Sequence, residues 1–202
     1  GICLFMDIIL IIEVNFYKVW KKIILYKQIQ NSKHAPVDDE QAARQYQILI
    51  DTIAPFEHYE VSNFALPGFG SKHNQSYWDQ TPYLGLGAAA HSFDGNSRQW
   101  NPLNLKQYFK NISQHVDCEE KEELSSADLY NEMILLGLRT RKGISLSEVR
   151  ERFGEEQVKQ LCQYFEDSVD KSYYEQKESR LRLTETGLWF ADGIASDAFI
   201  IY

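Results

Sequence analysis

Residues 57–92, with the sequence EHYEVSNFALPGFGSKHNQSYWDQTPYLGLGAAAHS, constrain the fold of this chain more than any other stretch. Alternating residues at its start predict a strand at 58–62. A proline and two glycines then mark turns, so irregular backbone is predicted at 63–77. A loop of this length inside a compact domain is either functional or disordered, and its aromatic residues argue against disorder. We therefore interpret the loop as functional.

A second strand is predicted at 83–90, where Gly85, Gly87 and three alanines leave the backbone uncovered. Such a strand lets a ligand or another backbone approach closely. The spacing also fits the G-x-G-x-x-A fingerprint of dinucleotide-binding proteins, but the residues from 91 onward continue into a turn instead of opening a helix. A dinucleotide site is therefore excluded here.

Two helices are predicted beside this stretch. The first spans 38–54, with Asp38 as its N-cap and Gln41 three residues later. The second spans 104–115, and its apolar positions form one stripe made of Leu105, Tyr108, Phe109 and Ile112. A helix followed by a strand indicates an α/β alternation.

The acidic run at 117–124 predicts a solvated linker between two units, 1–116 and 125–202. In the second unit, Ser125 and Ser145 are predicted N-caps. The predicted elements are three helices, a hairpin and a last helix, with the helices at 125–141, 145–154 and 155–169 and the hairpin at 173–183. This order is typical of a winged helix.

The chain carries 29 acidic and 21 basic side chains, a formal net charge of −8. This charge argues against nonspecific binding to nucleic acid, and the third helix of the winged unit, which would have to enter a DNA groove, is itself acidic. A protein or membrane-protein contact surface is the better interpretation of that unit. Cys3, Cys118 and Cys162 are too scattered for a disulfide framework, which predicts a reducing, cytoplasmic setting. The apolar run at 2–14 is too short to span a bilayer and lacks the features of a secretory signal.

Four segments closely resemble the HemW branch of the HemN-like radical-SAM family: residues 62–65, Pro67-Gly68, the HNxxYW pattern at 73–78 and YLGLGAAAHS at 83–92. The resemblance extends over residues 25–194. It implies an α/β (α+β) fold, with the last β/α units of a partial radical-SAM (β/α) barrel followed by a small winged-helix-like HemN_C domain. In barrel folds, active sites collect at the C-terminal ends of the strands.

Members of that family carry a CxxxCxxC motif near their start, which holds a [4Fe-4S] cluster that binds S-adenosylmethionine. The three cysteines of this chain cannot imitate the motif, so we expect the chain to be inactive alone. Residues 1–24 do not match the family's usual approach to this region. We expect them to be an altered or non-native N-terminus.

In the HemW branch the HNxxYW pattern is associated with haem binding. The resemblance therefore implies haem contacts from His73, Asn74, Tyr77 and Trp78, with His73 as an axial ligand of the iron. The alternative for His73 is a hydrogen bond to the loop backbone. The alternative for the two aromatic side chains is a place in the core.

The resemblance also implies that the second predicted strand lies under the S-adenosylmethionine site. Small residues would give clearance for this cofactor, namely Gly85, Gly87, Ala88 and Ala89. Tight packing against a neighbouring helix is the alternative. Further ligand contacts are predicted for Asn63, His91 and Arg98, because an arginine fork suits a propionate or another carboxylate. A turn role for Asn63 and a loop-bracing role for Arg98 stay open.

The function implied by the resemblance is that of a haem chaperone, which binds a tetrapyrrole and delivers it to client haemoproteins. Two alternatives stay open: radical-SAM oxidative decarboxylation of coproporphyrinogen III to protoporphyrinogen IX, and an interaction module without catalysis. No nucleic-acid partner is expected. Unpaired strand edges of a partial barrel predict a homodimer or a poorly soluble fragment. Peripheral membrane contact is a further expectation.

Overall fold

The computed structural model describes residues 2–5, 8–13, 38–116 and 120–201. The chain forms two compact units, residues 1–71 and 72–202. The division proposed from the sequence lies elsewhere, at 117–124. Cys118 and the acidic residues on either side of it fall outside the described residues.

The first unit contains helix α1 (Asp39–Thr52), which confirms the helix predicted at 38–54. Asp38 caps it as expected, since its carboxylate accepts a hydrogen bond of 2.7 Å from the backbone N–H of Gln41. Ala42 and Tyr46 are the buried residues of its apolar face. A local capping interaction therefore sets the start of this helix.

The sheet of the first unit has the order β1-β2-β4-β3, with β1 at Ile2–Phe5, β2 at Ile8–Glu13, β3 at Glu57–Glu60 and β4 at Asn63–Ala65. The strand predicted at 58–62 ends earlier than expected, because the chain turns back at 61–62 and continues as β4. Residues 63–65, predicted as irregular, are therefore a buried strand. The Glu60 carboxylate holds the turn by accepting bonds from the Ser62 N–H (3.0 Å) and the Asn63 amide (2.6 Å).

The second unit begins with helix α2 (Lys72–Trp78), where the sequence predicted a loop. Strands β5 (His91–Phe93), β6 (Ser97–Trp100) and β7 (Glu120–Glu123) follow, with helix α3 (Leu105–Ser113) between the last two, and they pair in the order β5-β6-β7. Strand β7 lies within the predicted linker, and its four residues are exposed. Every strand pair among the described residues is antiparallel, and these strands form no closed barrel.

The strand predicted at 83–90 is wrong. Only Tyr83 pairs with a strand residue, in a single antiparallel bridge to Phe93, and residues 84–90 are irregular. Gly87 (φ 112°) and Ala89 (φ 59°) adopt left-handed conformations that a strand does not use. The small residues of this segment therefore allow the backbone to turn tightly, and they do not form a flat strand.

The apolar stripe of α3 is at the surface, contrary to the burial that its periodicity suggests. Leu105, Phe109 and Ile112 are exposed, and the buried residue of this helix is Asn111. Helix α3 is nevertheless amphipathic with a firm start, since Asn104 caps it. Periodicity thus identified the helix but not the side of it that is covered.

The remaining elements form the expected winged helix. They are α4 (Ser126–Leu138), β8 (Ile144–Ser145), α5 (Leu146–Phe153), α6 (Glu155–Ser168), β9 (Tyr174–Lys177), β10 (Arg180–Leu183), α7 (Glu185–Leu188) and α8 (Ala191–Asp197). The sheet order is β8-β10-β9. Ser125 and Ser145 cap α4 and α5 as predicted. The single last helix of the prediction is instead two short helices. Every helix of the winged helix contributes to the core, as do β8 and β10. Its most buried side chains include Tyr130, Ile134, Leu138, Val149, Leu161, Phe165 and Leu181.

Candidate functional site

Helix α2 carries the whole HNxxYW pattern on two turns. Residues four apart lie on the same face of a helix, so His73 and Tyr77 are neighbours. Their rings are 4.9 Å apart between centroids and nearly perpendicular, at 79°. The His73 imidazole lies at the exposed surface of the helix. The Ser76 hydroxyl donates a hydrogen bond of 2.7 Å to the His73 backbone carbonyl.

Tyr77 continues this contact toward the interior through Tyr83. The Tyr77 and Tyr83 rings meet edge to face at 4.8 Å, and Tyr83 lies 6.2 Å from the buried Phe93 ring. Burial raises the pKa of the Tyr83 hydroxyl, an effect that the nearby Arg98 guanidinium opposes. A row of aromatic rings therefore runs from an exposed imidazole to the core of the unit, and we call His73, Tyr77, Tyr83 and Phe93 the aromatic row.

The other two members of the pattern, Asn74 and Trp78, also lie four apart on α2 and are half-buried. Asn63 belongs to the first unit, where it is buried and its amide donates to Glu60. That contact corresponds to the structural alternative for Asn63, a residue that fixes a turn.

His91 opens β5 and is exposed, with its ring 5.7 Å from the Trp100 indole at a tilt of 31°. Both line a cavity of about 430 Å³, whose other walls include Pro102, Leu103 and Gln107. Arg98 lies on β6 and forms an ion pair with Glu132 of α4. This pairing corresponds to the bracing role that the sequence left open for Arg98.

The glycines of the 84–90 segment have different surroundings. A Cβ at Gly85 would lie 2.1 Å from the carbonyl oxygen of His91, so its missing side chain makes room for β5 and for no ligand. A Cβ at Gly87 would meet nothing within 4 Å. Ala88 is half-buried and Ala89 is exposed. Close approach of a ligand is therefore open at Gly87 and closed at Gly85.

Sequence reasoning missed the residues that hold this segment in place. The Asn101 amide donates to the carbonyls of Gly85 (3.3 Å) and Gly87 (2.9 Å), and the Gly87 N–H donates to the Tyr108 hydroxyl at 3.1 Å. It also missed the place of Tyr83 in the aromatic row. The Asn-Pro pair at 101–102 is a turn signal that could have marked this loop, although it does not identify the partners of Asn101.

Histidine, cysteine, aspartate and glutamate side chains are the common protein ligands of metal ions. No cluster of three or more such residues occurs in the part of the chain that the structure describes. Burial raises the pKa of the Cys162 thiol, which favours the protonated form and disfavours metal binding. The residues described here do not fit an iron–sulfur cluster.

The turn between β5 and β6 is fixed by Asp94. Its carboxylate accepts bonds from the backbone N–H groups of Asn96 (2.9 Å) and Ser97 (2.7 Å) and from the Ser97 hydroxyl (2.7 Å). These bonds, that of Asn96 first, lower the pKa of Asp94 to about 2. Since the folded-state pKa lies below the unfolded one, this stabilisation is complete above about pH 4 and is lost as the pH falls toward 2.

We therefore expect Asp94→Asn to lower the thermal unfolding midpoint at about pH 7. The difference in midpoint between this variant and the parent chain should shrink as the pH falls below about 4. Circular dichroism melts over this pH series measure it. Asp197→Asn, at the exposed end of α8, is the control and should show no such narrowing. A difference for Asp94→Asn that is constant with pH would contradict the assignment.

Within the described part of the chain, no helix has both the length and the apolar character that crossing a membrane requires.

Comparison with known proteins gives three kinds of match. Residues 124–190 match the family described as HemN C-terminal domain. The chain is 29% identical over 185 residues to "Heme chaperone HemW" of Bacillus subtilis, covering 87% of this chain and 48% of that protein. It is 28% identical over 174 residues to the protein of the same name from Lactococcus lactis, covering 85% and 45%.

A bovine protein named "Radical S-adenosyl methionine domain-containing protein 1, mitochondrial" is 34% identical over 134 residues, covering 60% of this chain and 30% of that protein. The solved structure of coproporphyrinogen III oxidase (HemN) from Escherichia coli, described as a radical SAM enzyme, matches with a TM-score of 0.57 at 17% identity. That match covers 81% of this chain and 42% of HemN and shows a shared fold.

The chain spans about half the length of the two HemW proteins named above. The matched C-terminal domain covers the winged helix from α4 to α7, and the aromatic row starts in the HNxxYW pattern. Residues 124–190 thus match the HemN C-terminal domain, and the chain as a whole is similar to the C-terminal portion of HemW proteins and shares the fold of HemN.

Proposed function

We propose that this chain is the part of a haem chaperone that binds haem through His73 and presents it to client haemoproteins. The observation that carries the proposal is the exposed His73 imidazole at the outer end of the aromatic row. The names of the HemW relatives support the same reading.

The chemistry of the site fits haem. A neutral imidazole nitrogen is a common axial ligand of haem iron, and its position on an exposed helix face leaves room for a flat macrocycle. Tyr77, which is 38% exposed, offers an aromatic face next to the imidazole. A carrier must also release its haem. Because His73 lies on an open surface, a client protein can replace this axial ligand with one of its own without unfolding the carrier.

Fewer residues are proposed to contact S-adenosylmethionine than the resemblance implied. Contact with S-adenosylmethionine is proposed at Gly87 and the neighbouring Ala88 and Ala89, where a ligand can approach the backbone. Gly85 drops out of this proposal because β5 occupies its free side. No step through an iron–sulfur cluster is proposed, since the described residues do not fit one.

The test is a haem titration followed by the Soret absorbance of the parent chain and of His73→Ala. We expect saturable binding by the parent chain and a dissociation constant raised roughly tenfold or more for His73→Ala, because this substitution removes the iron ligand. A tenfold rise corresponds to about 1.4 kcal/mol of binding free energy. The Soret maximum should also shift as the axial ligand changes.

The matched control is His115→Asn. His115 is exposed beyond the end of α3 and has φ 53°, a conformation that asparagine tolerates. It should bind haem like the parent chain. Equal affinity of the parent chain and His73→Ala would contradict the proposal, as would an equal loss in both variants.

A further inference from the structure

A basic groove lies on the winged-helix domain, far along the chain from the haem-binding pattern. It is an open cavity of about 560 Å³ with five cationic residues in its wall: Arg141, Lys142, Lys177, Arg180 and Arg182. Glu178 is the one acidic residue that lines it. Such a concentration of positive charge is unexpected on a chain with a net charge of −8.

The fold brings these residues together from two segments. Gly143, with φ 68°, lets the turn after α4 press against β10, since a Cβ there would lie 2.4 Å from the Leu181 carbonyl oxygen and from the Arg182 Cβ. This close approach places the turn's two cations beside the wing hairpin of β9 and β10. On the hairpin, Arg180 and Arg182 are two residues apart and therefore lie on the same side of β10. Lys177 lies opposite Arg180 in the register of the two strands.

Three of the five cations form ion pairs within the fold, with two carboxylates between them. Lys142 pairs with Asp79 at 2.6 Å, and Glu175 pairs with both Lys177 (2.7 Å) and Arg182.

The other two, Arg141 and Arg180, have no carboxylate partner among the residues that the structure describes. The one hydrogen bond formed by the Arg180 guanidinium there is a long one of 3.4 Å to the Lys142 carbonyl. Two exposed guanidinium groups are thus held at one groove with their forks available to an anion.

We propose that this groove is a docking site for an acidic segment of a partner protein. Arginine forks bind carboxylates in a bidentate manner, and an extended peptide can lie along a hairpin with its side chains spaced to meet successive cations. Duplex DNA is the less suitable anion. It would approach a chain of net charge −8 and the acidic helix α6, which repel a long polyanion.

The groove is tested with a fluorescein-labelled, glutamate-rich peptide, whose binding is followed by fluorescence anisotropy at low ionic strength. The double variant Arg141→Gln/Arg180→Gln should bind the peptide about fivefold more weakly than the parent chain, as expected for the loss of exposed ion pairs. The double variant Lys106→Gln/Lys110→Gln on α3 changes the net charge equally and should bind like the parent chain. Circular dichroism verifies that both variants are folded.

Three results would overturn the inference. The peptide binds neither the parent chain nor the control, or it loses equal affinity in both double variants, or a short DNA duplex binds the groove more tightly than the peptide with the same dependence on the two arginines. The haem titration of the arginine variant keeps the two proposals apart, because haem binding at His73 should be unchanged whether or not the peptide binds.

Discussion

Replacing Phe165 with alanine is expected to lower the free energy of unfolding by about 3–5 kcal/mol, the range found when a buried aromatic side chain is truncated. Phe165 lies on α6 with 1% of its surface exposed, and its ring meets the Tyr174 ring of the wing edge to face at 4.9 Å. Alanine would lose this contact and leave a cavity between helix and hairpin. Urea denaturation followed by far-ultraviolet circular dichroism measures the loss.

Phe109→Ala is the matched control. It removes the same atoms from a ring on α3 that is 61% exposed. Its expected effect is within about 0.5 kcal/mol, as for most surface substitutions. Equal losses for the two variants would contradict the described burial of Phe165.

Urea denaturation of the parent chain and of Phe165→Ala, followed by haem absorbance as well as by circular dichroism, tests where the boundary between the two units lies. In the structure, α2 belongs to the same compact unit as the winged helix. Two contacts tie the end of α2 to that helix domain: the Lys142–Asp79 ion pair and a hydrogen bond of 2.9 Å from Arg152 to Gln80. We therefore expect haem binding at His73 and the circular dichroism signal to be lost at the same urea concentration. Haem binding that outlasts the main transition would favour the boundary proposed from the sequence at 117–124.

The sequence predicted those features of the fold that depend on local chemistry. Asp38, Ser125 and Ser145 each supply an oxygen to the first turn of a helix, and each helix starts where its cap predicts. The wing hairpin was also predictable, because alternation along Arg180–Leu183 reports which residues face the core. Such signals are contained within a few neighbouring residues.

The errors lie where distant residues decide the conformation. The segment at 84–90 was predicted as a strand, yet its path is set by Asn101, Tyr108 and the backbone of His91. Helix α2 was hidden by the turn residues before it. The pattern predicted His73 and Tyr77 as site residues, whereas the contact of Tyr77 with Tyr83 depends on a turn between them that no short window of sequence describes.

Two glycines near the end of the chain should respond to the same substitution with opposite signs. Gly187 in α7 is buried, and a Cβ there would lie 1.9 Å from the Tyr173 carbonyl oxygen. That oxygen already accepts a bond of 2.9 Å from the Thr184 N–H, so it cannot move away without breaking the start of α7. We expect Gly187→Ala to lower the free energy of unfolding by about 3 kcal/mol, the upper part of the usual range for overpacking.

Gly193 in α8 is exposed, and a Cβ there would meet nothing within 4 Å. Alanine has the higher helix propensity, so Gly193→Ala should raise the free energy of unfolding by about 0.5–1 kcal/mol. Urea denaturation of the two variants beside the parent chain measures both effects. Because the added methyl group is the same, the difference in sign isolates the close approach of α7 to Tyr173. If both variants were equally stable, that approach would not exist in solution, and the packing of the C-terminal helices on the wing would have to be redrawn.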